Sequence, residues 1–420
     1  MKRKLFFLIA FLLAISGLER AKAQEPLPDT VWTYTSWPSQ NFTSVLFSKD
    51  GTKIYTGGDS LKVFDTETGQ SLKSINHGWI TYLSLSKTGK YLASCTSTGV
   101  ITVWDTETME MYQRFNDFNG SYTKYNAFSP DEQLLAASSY NKGVKIWNIH
   151  TKELIDSFYN KMNPDSYNGA CLEFTDDGKY LGISGYNNIL RNYDLLKKEF
   201  TNFQISNVVR FKFFDNDKKI LVYKDDEIPT MISYEISTYK KLHEFKGHSD
   251  GVIWGMKITP DSKYLISAGD DYTVRIWDIE TGVNTYTYNY LGPKMSVDYT
   301  TDLKYIASCS PGHLILFNAK WTGTGVEEPD NPIEIISNIS SFPNPGIDSM
   351  TLEYTVNQFI NLKIDIFDLI GNKIQNLFDG FKEPGIYNID MYTGSIPSGI
   401  YHIRFSAGEF ISTIDIVVNN

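Results

Sequence analysis

The residues of this 420-residue chain that could do chemistry are few. His248 could serve as a catalytic base or as a buried structural group. Three acidic segments, DTETG at 65–69, DTETM at 105–109 and DIETG at 278–282, have a spacing that resembles a calcium-binding loop. The chain has no GxSxG elbow, no P-loop and no CxxC motif. The elements that position these residues decide which interpretation holds.

Two landmarks recur seven times in register. The first is an aromatic residue that precedes an acidic or amide residue, as in VRIWD at 274–278, and its spacing is 40 to 46 residues. These aromatics are Phe64, Trp104, Trp147, Tyr193, Tyr234, Trp277 and Phe317. The second landmark lies upstream and is a polar turn followed by an alternating segment, as in ITPDSKYLISAG at 258–269. Each repeat therefore predicts one four-stranded antiparallel sheet.

Composition and repeats together predict an all-β fold. Aromatic residues make up 14% of the chain and charged residues 21%, which excludes a disordered or coiled-coil chain. A four-stranded sheet that is apolar on both faces cannot cover itself, so neighbouring sheets must pack radially around an axis. We therefore expect a seven-bladed β-propeller over residues 24–320, followed by a small C-terminal β-sandwich.

Repeat six carries a family resemblance. Its sequence, KGHSDGVIWGMKITPDSKYLISAGDDYTVRIWDIETG, resembles a complete WD40 repeat, and the other six repeats resemble decayed copies. The resemblance implies a structural tetrad linked by hydrogen bonds, in which a carboxylate orients a buried imidazole. Its members are His248, Ser267, Asp271 and Trp277. On this interpretation His248 is structural rather than catalytic.

Ring closure is expected to use the N-terminal end of the repeat region. Repeat seven ends at 317–318 without an outer strand, whereas TVWTYT at 30–35 resembles the outer strands of the complete repeats. We expect residues 30–35 to pair with residues 314–319 and close the last blade. Cys95 and Cys309 occupy the same position in repeats two and seven, and Cys171 lies in a different strand of repeat four. Three free, buried thiols are therefore predicted.

The centre of the propeller is where an enzyme of this fold would hold its site. Propeller hydrolases and lactonases use carboxylates and histidines at the starts of inner strands, and a metal needs at least three converging ligands. The segments expected there contain no Asp, Glu or His: NFTSV, WITYL, YTKYN, NGACL, ISNVV, GVIWG and PKMSV. The three acidic segments belong to different blades, so hairpin turns explain them. We expect neither a metal nor another cofactor.

One face of the propeller is the candidate partner-binding face. It bears the turns between second and third strands and the starts of the first strands, and loops of this kind present binding residues. Exposed aromatic residues are favoured as interface anchors. Those expected on this face are Trp79, Tyr140, Tyr186, Trp254 and Tyr272. The alternative is that these rings pack against adjacent loops.

Residues 1–23 are predicted to be a secretory signal peptide. Basic residues at 2–4 precede an apolar stretch at 5–15 and the sequence AKA at 21–23. This stretch is shorter than the roughly 20 residues of a membrane-spanning helix, so a retained anchor is the weaker interpretation. Loss of its five basic residues and one acidic residue moves the formal charge from -10 to -14. Such an acidic surface disfavours nucleic acid or anionic lipid as a partner.

The C-terminal region has a different composition. Residues 321–338 are predicted to be a linker, and residues 339–420 form alternating stretches typical of a small antiparallel sandwich. The latter resemble the type A sorting domain of the bacterial type IX secretion system of the Bacteroidota. The matching residues are Pro343, Asn344, Pro345, Gly371, Pro397, Ser398, Gly399 and Tyr401. The resemblance implies recognition by the type IX machinery, followed by release or attachment to the cell surface, and the ending IDIVVNN leaves attachment open.

Three functions are compatible with these features. The first is a secreted or cell-surface, non-enzymatic scaffold that binds an extracellular protein, peptide or glycan. The second is a secreted propeller hydrolase or lactonase with a non-standard site, and the third is a structural component of the envelope. The absence of a convergent carboxylate or histidine set favours the first.

Overall fold

A computed structural model describes residues 29–35, 41–140, 142–158, 171–186, 189–224, 229–249, 251–289, 295–321, 336–356, 360–369, 371–383, 385–407 and 410–419. These residues form strands, turns and loops. No helix among them is long and apolar enough to cross a membrane. The predicted signal peptide and most of the predicted linker lie outside the described residues.

Seven four-stranded antiparallel sheets follow one another along the chain. Strand β1 (Thr30–Thr35) precedes the first of them. Sheet one comprises β2 (Phe42–Phe47), β3 (Lys53–Gly58), β4 (Leu61–Asp65) and β5 (Ser71–Ile75). Sheet two comprises β6 (Ile80–Leu85), β7 (Tyr91–Thr96), β8 (Ile101–Asp105) and β9 (Met111–Phe115). Sheet three comprises β10 (Thr123–Phe128), β11 (Leu134–Ser139), β12 (Gly143–Asn148) and β13 (Leu154–Phe158).

The remaining sheets repeat the same order. Sheet four comprises β14 (Leu172–Phe174), β15 (Tyr180–Tyr186), β16 (Ile189–Asp194) and β17 (Glu199–Asn202). Sheet five comprises β18 (Val208–Phe214), β19 (Lys219–Lys224), β20 (Thr230–Glu235) and β21 (Lys241–Phe245). Sheet six comprises β22 (Ile253–Ile258), β23 (Tyr264–Gly269), β24 (Thr273–Asp278) and β25 (Asn284–Asn289). Sheet seven contains β26 (Ser296–Tyr299), β27 (Tyr305–Ser310) and β28 (His313–Asn318), and its fourth strand is β1.

Strand β1 closes the ring. It pairs antiparallel with β28, from Thr30 opposite Phe317 to Thr35 opposite His313. Trp32 fixes this strand further, because its Nε1 donates to the carbonyl of Thr66 at 2.8 Å. The fourth strand of the last blade therefore comes from the beginning of the repeat region, and the fold is a seven-bladed β-propeller.

The second strands of the blades are the most buried, and the outer strands are the most exposed. Strand β7, for example, is buried throughout, whereas β5 is exposed over its first four residues. The second strands carry small residues because adjacent blades approach them closely. A Cβ atom at Gly182 would lie 2.7 Å from the ring of Phe211, and one at Gly57 would lie 2.7 Å from Ile80. Blade packing therefore restricts these positions to glycine.

The three acidic segments form hairpin turns between third and fourth strands. The carboxylate of Asp65 accepts from the backbone N–H of Thr68 at 2.8 Å, and Asp278 does the same for Thr281 at 2.7 Å. Asp105 accepts from the N–H of Thr108 at 3.0 Å. These carboxylates cap their own turns, which is the usual role of Asp in a tight turn.

The three cysteines are free and buried. Cys95 and Cys309 lie in second strands, β7 and β27, and Cys171 immediately precedes the inner strand β14. Burial raises the pKa of the Cys95 thiol to about 12. This thiol is therefore inert at neutral pH.

The C-terminal region is a β-sandwich. Its strands are β29 (Ile336–Ile347), β30 (Ser349–Val356), β31 (Ile360–Phe367), β32 (Lys373–Lys382), β33 (Gly385–Tyr392), β34 (Gly399–Ala407) and β35 (Phe410–Val418). Their order is β32-β31-β34-β35-β29-β30-β33, in which a single parallel bridge joins β35 to β29. Strand β29 begins three residues before the predicted start at 339, because Ile336 packs into the core of the sandwich.

Candidate functional site

The first strands of the blades surround a central channel. Strands β2, β6 and β10 contact one another in sequence around the hub, and β26 contacts β2 across the closure. Hydrogen bonds join neighbouring blades at this level, such as Thr43 Oγ1 to the carbonyl of Ile80 at 2.7 Å and Thr81 Oγ1 to that of Thr123 at 2.6 Å. Side chains on the first strands therefore project into a shared space.

Two cavities occupy this channel. One, of about 210 Å³, is lined by residues at the starts of first strands, including Thr43, Lys124 and Trp254. The other, of about 420 Å³, is lined by residues at the ends of first strands, including Phe47 and Asp298. We call them the start-end cavity and the far-end cavity. Because strands are antiparallel, the start-end cavity opens on the same face as the turns between second and third strands.

A β-bulge shapes the start-end cavity. In five first strands the register shifts across one extra residue at the start, which leaves that residue outside the ladder. The extra residues are Thr43, Thr81, Lys124, Val209 and Trp254. Bulges re-aim side chains, and this position is where threonine, lysine and tryptophan line the cavity.

Arg210 is the most deeply buried cation of the cavity. It follows the bulge residue of blade five, where Val209 has no hydroxyl to bond to the next blade. Its Nη1 donates to the carbonyl of Ile253 at 2.5 Å, and its Nε donates to the hydroxyl of Tyr125 at 2.9 Å. The side chain is 4% exposed, and its Nη2 has no hydrogen-bond partner among the described residues. Arg210 of blade five therefore links blades three and six, and within the described part of the chain one of its donors is unused.

Lys124 and Trp254 complete this end of the channel. The ring of Trp254 lies 4.9 Å from the guanidinium carbon of Arg210 and 5.4 Å from Nζ of Lys124, which is the geometry of a cation–π contact. Its Nε1 donates to Asp270 at 2.6 Å, in the turn after the second strand. Burial, with the nearby charge of Arg210, lowers the pKa of Lys124 to about 7.

Two ion pairs between neighbouring blades line the far-end cavity. Lys212 Nζ lies 2.9 Å from Glu173, whose other oxygen accepts from the N–H of Phe213 at 2.9 Å. Lys257 Nζ lies 3.2 Å from Asp298, which also accepts from the N–H of Phe47 at 2.8 Å. Burial lowers the pKa of Lys212, but the charge of Glu173 outweighs it and the net shift is upward. These ion pairs join adjacent blades.

The channel thus contains carboxylates, although the quoted starts of the first strands contain none. Glu173 and Asp298 lie just beyond those segments, and both line the far-end cavity. Each is paired with a lysine. Among the described residues no three His, Cys, Asp or Glu side chains are grouped so that they could hold a metal ion.

The five predicted aromatic residues differ in exposure and position. Trp254 lines the start-end cavity, whereas Trp79, immediately before β6, is 38% exposed. Tyr140 and Tyr272 are half-buried near second-to-third strand turns. The side chain of Tyr186 lies outside the described residues. By chain position the five belong to the same end of the propeller, and Trp254 lies among the channel cations.

The four tetrad residues are linked by hydrogen bonds in blade six. His248 Nδ1 lies 2.9 Å from Asp271, its Nε2 lies 2.6 Å from Ser267 Oγ, and Trp277 Nε1 donates to the same hydroxyl at 2.8 Å. Burial would raise the pKa of Asp271, but the hydrogen bond and charge of His248 outweigh it and the pKa is lowered. His248 and Trp277 are 2% and 0% exposed, so the imidazole is enclosed within the blade.

Blade two has a reduced version of this arrangement. Trp104 Nε1 donates to Ser94 Oγ at 2.9 Å, as in blade six. His77, however, contacts Thr102 Oγ1 at 2.9 Å instead of the serine. Thr98 stands at the position of the tetrad aspartate and contacts Thr96. The tryptophan–serine pair is therefore kept where the histidine–aspartate pair is lost.

Several of the predicted sorting residues connect strands of the sandwich or lie in the turns between them. Asn344 ties β29 to β35, because its Oδ1 accepts from the N–H of Val417 at 2.9 Å and its Nδ2 donates to the carbonyl of Asp415 at 3.2 Å. Pro343 and Pro345 flank it, both after cis peptide bonds. The hydroxyl of Tyr401 donates to the carbonyl of Pro397 at 2.9 Å.

The other sorting residues form turns and a strand end. Gly371 has a φ of 88° in the turn between β31 and β32, a conformation that favours glycine. Ser398 precedes β34, and Gly399 pairs with Val418. Asn344 thus connects β29 to β35, Gly399 pairs β34 with β35, and Gly371 forms the turn between β31 and β32.

Sequence reasoning missed the channel cations. Carboxylates and histidines are the residues expected of a catalytic or metal site on the first strands, whereas Lys124 and Arg210 are basic. An alignment of the bulge positions would have shown that lysine stands where two other blades have threonine. Arg210 becomes visible only through its contact with Ile253 of the next blade.

Family comparisons match both parts of the chain. Residues 69–105, 124–148 and 239–278 match the family described as "WD domain, G-beta repeat". Residues 340–419 match the family described as "Secretion system C-terminal sorting domain".

Similar proteins match through the propeller. "Transcription factor unc-37" of Caenorhabditis elegans is 25% identical over 284 residues, which cover 63% of this chain and 44% of that protein. "Periodic tryptophan protein 2" of Arabidopsis thaliana is 27% identical over 247 residues, or 56% of this chain and 26% of that protein. "Serine-threonine kinase receptor-associated protein" of Homo sapiens is 22% identical over 239 residues, which cover 56% of this chain and 66% of that protein. The chain thus spans less than two thirds of each of these relatives.

The seven closed blades and their repeats define a β-propeller of the WD40 class. The chain joins this WD40-repeat propeller to a C-terminal sorting domain of the type IX secretion system. The sorting domain indicates engagement with that machinery and secretion or localisation at the outer surface.

Proposed function

We propose that this protein is a secreted, non-enzymatic interaction scaffold that holds an extracellular protein partner on the propeller face with the start-end cavity. The observation that carries the proposal is the cavity itself, which combines a buried cation with an unused donor and an aromatic ring. Sites that bind a partner group have this composition, with an apolar lining and a few converging polar groups.

Exposed rings near the same end support the choice of face. Tyr122 lines the cavity and is 43% exposed, and Trp79 is 38% exposed. Aromatic side chains of this kind give interface anchors a large contact area. Two similar proteins are a transcription factor and a receptor-associated protein, and neither name denotes an enzyme.

The pairing of the channel carboxylates supports a non-enzymatic role. Glu173 and Asp298 each lie within 3.2 Å of a lysine and accept a backbone hydrogen bond. A carboxylate held in this way is a poor general base, because its charge and lone pairs are already engaged.

The test compares two equally exposed rings on different parts of the propeller. Trp79 lies on the proposed face, whereas Tyr112 lies on the outer strand β9, and each is 38% exposed. The chain and its Trp79→Ala and Tyr112→Ala variants are immobilised and exposed to the culture medium and envelope fraction of the producing cells. Proteins retained by each are quantified by mass spectrometry.

We expect Trp79→Ala to lose a protein that the wild type and Tyr112→Ala retain. Equal retention by all three would contradict the chosen face. A parallel screen against ester, lactone and peptide substrates tests the non-enzymatic part. Turnover that disappears in Glu173→Gln would overturn it.

A further inference from the structure

The start-end cavity contains a buried charge that the fold leaves incompletely satisfied. Arg210 is only 4% exposed. Its Nη2 nevertheless has no hydrogen-bond partner among the described residues. A buried cationic donor without an acceptor costs free energy, so native structures satisfy nearly all of them. An acceptor that enters the cavity from outside would satisfy Arg210.

The charges around the cavity favour an anion as that acceptor. Its described lining residues include the cations Lys124, Arg210, Lys212 and Lys257, and they include no aspartate or glutamate. Glu173 and Asp298 compensate Lys212 and Lys257 from the far-end cavity. The charge on Arg210 and Lys124 therefore dominates the field at the start end.

We propose that Arg210, together with Lys124, binds the side-chain carboxylate of an acidic residue in a partner polypeptide. That the partner is a polypeptide rests on the proposed function. That the bound group is a carboxylate rests on the residues of the cavity. Nη2 of Arg210 donates to the carboxylate, and the ammonium group of Lys124 supplies a second charge across the ring of Trp254.

The size of the cavity favours one side chain over a whole small molecule. Its volume of about 210 Å³ is below the roughly 300–1,000 Å³ of sites that enclose a drug-sized ligand. Met256, Met295 and Val297 contribute apolar surface to the lining. Such surface suits the methylene groups that carry a glutamate carboxylate.

The charge of the whole chain disfavours a polyanion. A formal net charge of -10 repels nucleic acid, anionic lipid and polyuronate at long range. A polypeptide that presents one carboxylate among neutral or basic residues escapes this repulsion. The ring of Trp254 is already stacked with two cations, so it is not a free platform for a sugar ring.

The test uses a blocked glutamate and its neutral isostere. N-acetyl-glutamate α-amide carries a single carboxylate, and N-acetyl-glutamine α-amide has the same shape without the charge. The indole N–H resonance of Trp254, assigned with Trp254→Phe, is followed by NMR during titration of the purified full-length chain. We expect saturable shifts with the glutamate probe, and at least about 10-fold weaker binding of the glutamine probe.

Three variants locate the binding. Arg210→Gln and Lys124→Gln remove the two charges, and Lys145→Gln is the matched control, since Lys145 lies 5.6 Å from the ring of Phe118 and does not line the cavity. We expect about 10-fold or greater weakening in Arg210→Gln, a smaller weakening in Lys124→Gln at pH 6, and no change in Lys145→Gln. If Arg210→Gln does not fold, Lys124→Gln decides the outcome alone.

Several results would overturn the inference. These are equal affinity for the two probes, equal affinity of Lys124→Gln and wild type at pH 6, and tighter binding of sodium sulfate or sodium glucuronate than of the glutamate probe. Failure here is distinct from failure of the proposed function. Trp79→Ala would still lose its partner if the face were correct and the carboxylate site were not.

Discussion

The two ends of the central channel use the same kinds of residue in opposite ways. At the far end Lys212 and Lys257 each face a carboxylate from a neighbouring blade, as Lys212 faces Glu173 at 2.9 Å. At the start end Arg210 bonds to the next blade through a carbonyl, and its Nη2 has no hydrogen-bond partner among the described residues. This difference shows that burial alone does not reveal the role of a cation. A buried cation that faces a carboxylate joins two blades, whereas one that faces no carboxylate is available to bind a ligand.

The largest effect is expected where an ion pair is broken at the far end. Lys212→Met leaves Glu173 in the channel without its cation, and both side chains are only about a quarter exposed. Removal of one member of a fully buried pair costs roughly 3–5 kcal/mol, so we expect about 2 kcal/mol here. Urea unfolding measures the loss. The double variant Lys212→Met with Glu173→Leu should recover most of it, and no recovery would contradict the pairing argument.

A smaller effect is expected at the second ion pair. Lys257 Nζ lies 3.2 Å from Asp298, whereas Lys212 Nζ lies 2.9 Å from Glu173. Because the attraction between two charges falls with distance, we expect Lys257→Met to lose about 1 kcal/mol by the same measurement. A loss larger than that of Lys212→Met would show that the separation of the charges does not rank the two pairs.

Arg210 should behave differently from both lysines. Arg210→Met loses bonds to Tyr125 and Ile253, but it also removes a buried, partly unsatisfied charge. These contributions oppose each other, so we expect the free energy of unfolding to stay within about 1 kcal/mol of wild type. Binding of the glutamate probe should be abolished in the same variant. A loss of stability with binding unchanged would remove the distinction between the two ends.

The last prediction concerns the pH dependence of stability at Lys124. Burial and the charge of Arg210 hold its folded-state pKa at about 7, against about 10.4 in the unfolded chain. The unfolded state therefore binds more protons between these values, and stability rises with pH through that window. Among the described residues, the groups facing Lys124 include Arg210, Tyr125, Cys171 and Trp254.

The measurement is the difference in melting temperature between wild type and Lys124→Met. As the pH rises from 7 to 10, the melting temperature of the wild type should rise relative to that of the variant. The reason is that Lys124 becomes neutral at a lower pH in the folded state than in the unfolded state. Below pH 7 the difference should be constant. A difference that does not change with pH would show that Lys124 is not held in its neutral form.

The fold could be predicted from the sequence because its signals are local and repeated. Each blade carries an alternating second strand and an aromatic residue at the end of the third, so seven weak signals reinforce one another. The tetrad was accessible for the same reason, since His248, Ser267, Asp271 and Trp277 all lie within one repeat. The strand residues 336–338 were not predicted, because nothing in their sequence indicates a strand.

The channel could not be predicted in the same way because its contacts cross between blades. The pairing of Glu173 with Lys212, and the bond from Arg210 to Ile253, join residues about 40 positions apart in different repeats. The bulges that re-aim Lys124 and Trp254 are also invisible in a pattern of alternating residues. Periodicity identifies which strands surround the channel, and only their relative placement identifies which side chains meet there.

The pairing of β1 with β28 sets the order in which the molecule can be completed. Thr35 and His313, in contact in the finished ring, are 278 residues apart. A chain that emerges from a membrane with its N-terminus first presents its closing strand at the outset and must keep it unpaired until the seventh blade arrives. We therefore expect this strand pair to form last, and we expect an interrupted transit to leave an incomplete ring with two unpaired sheet edges that proteases and other strands can attack.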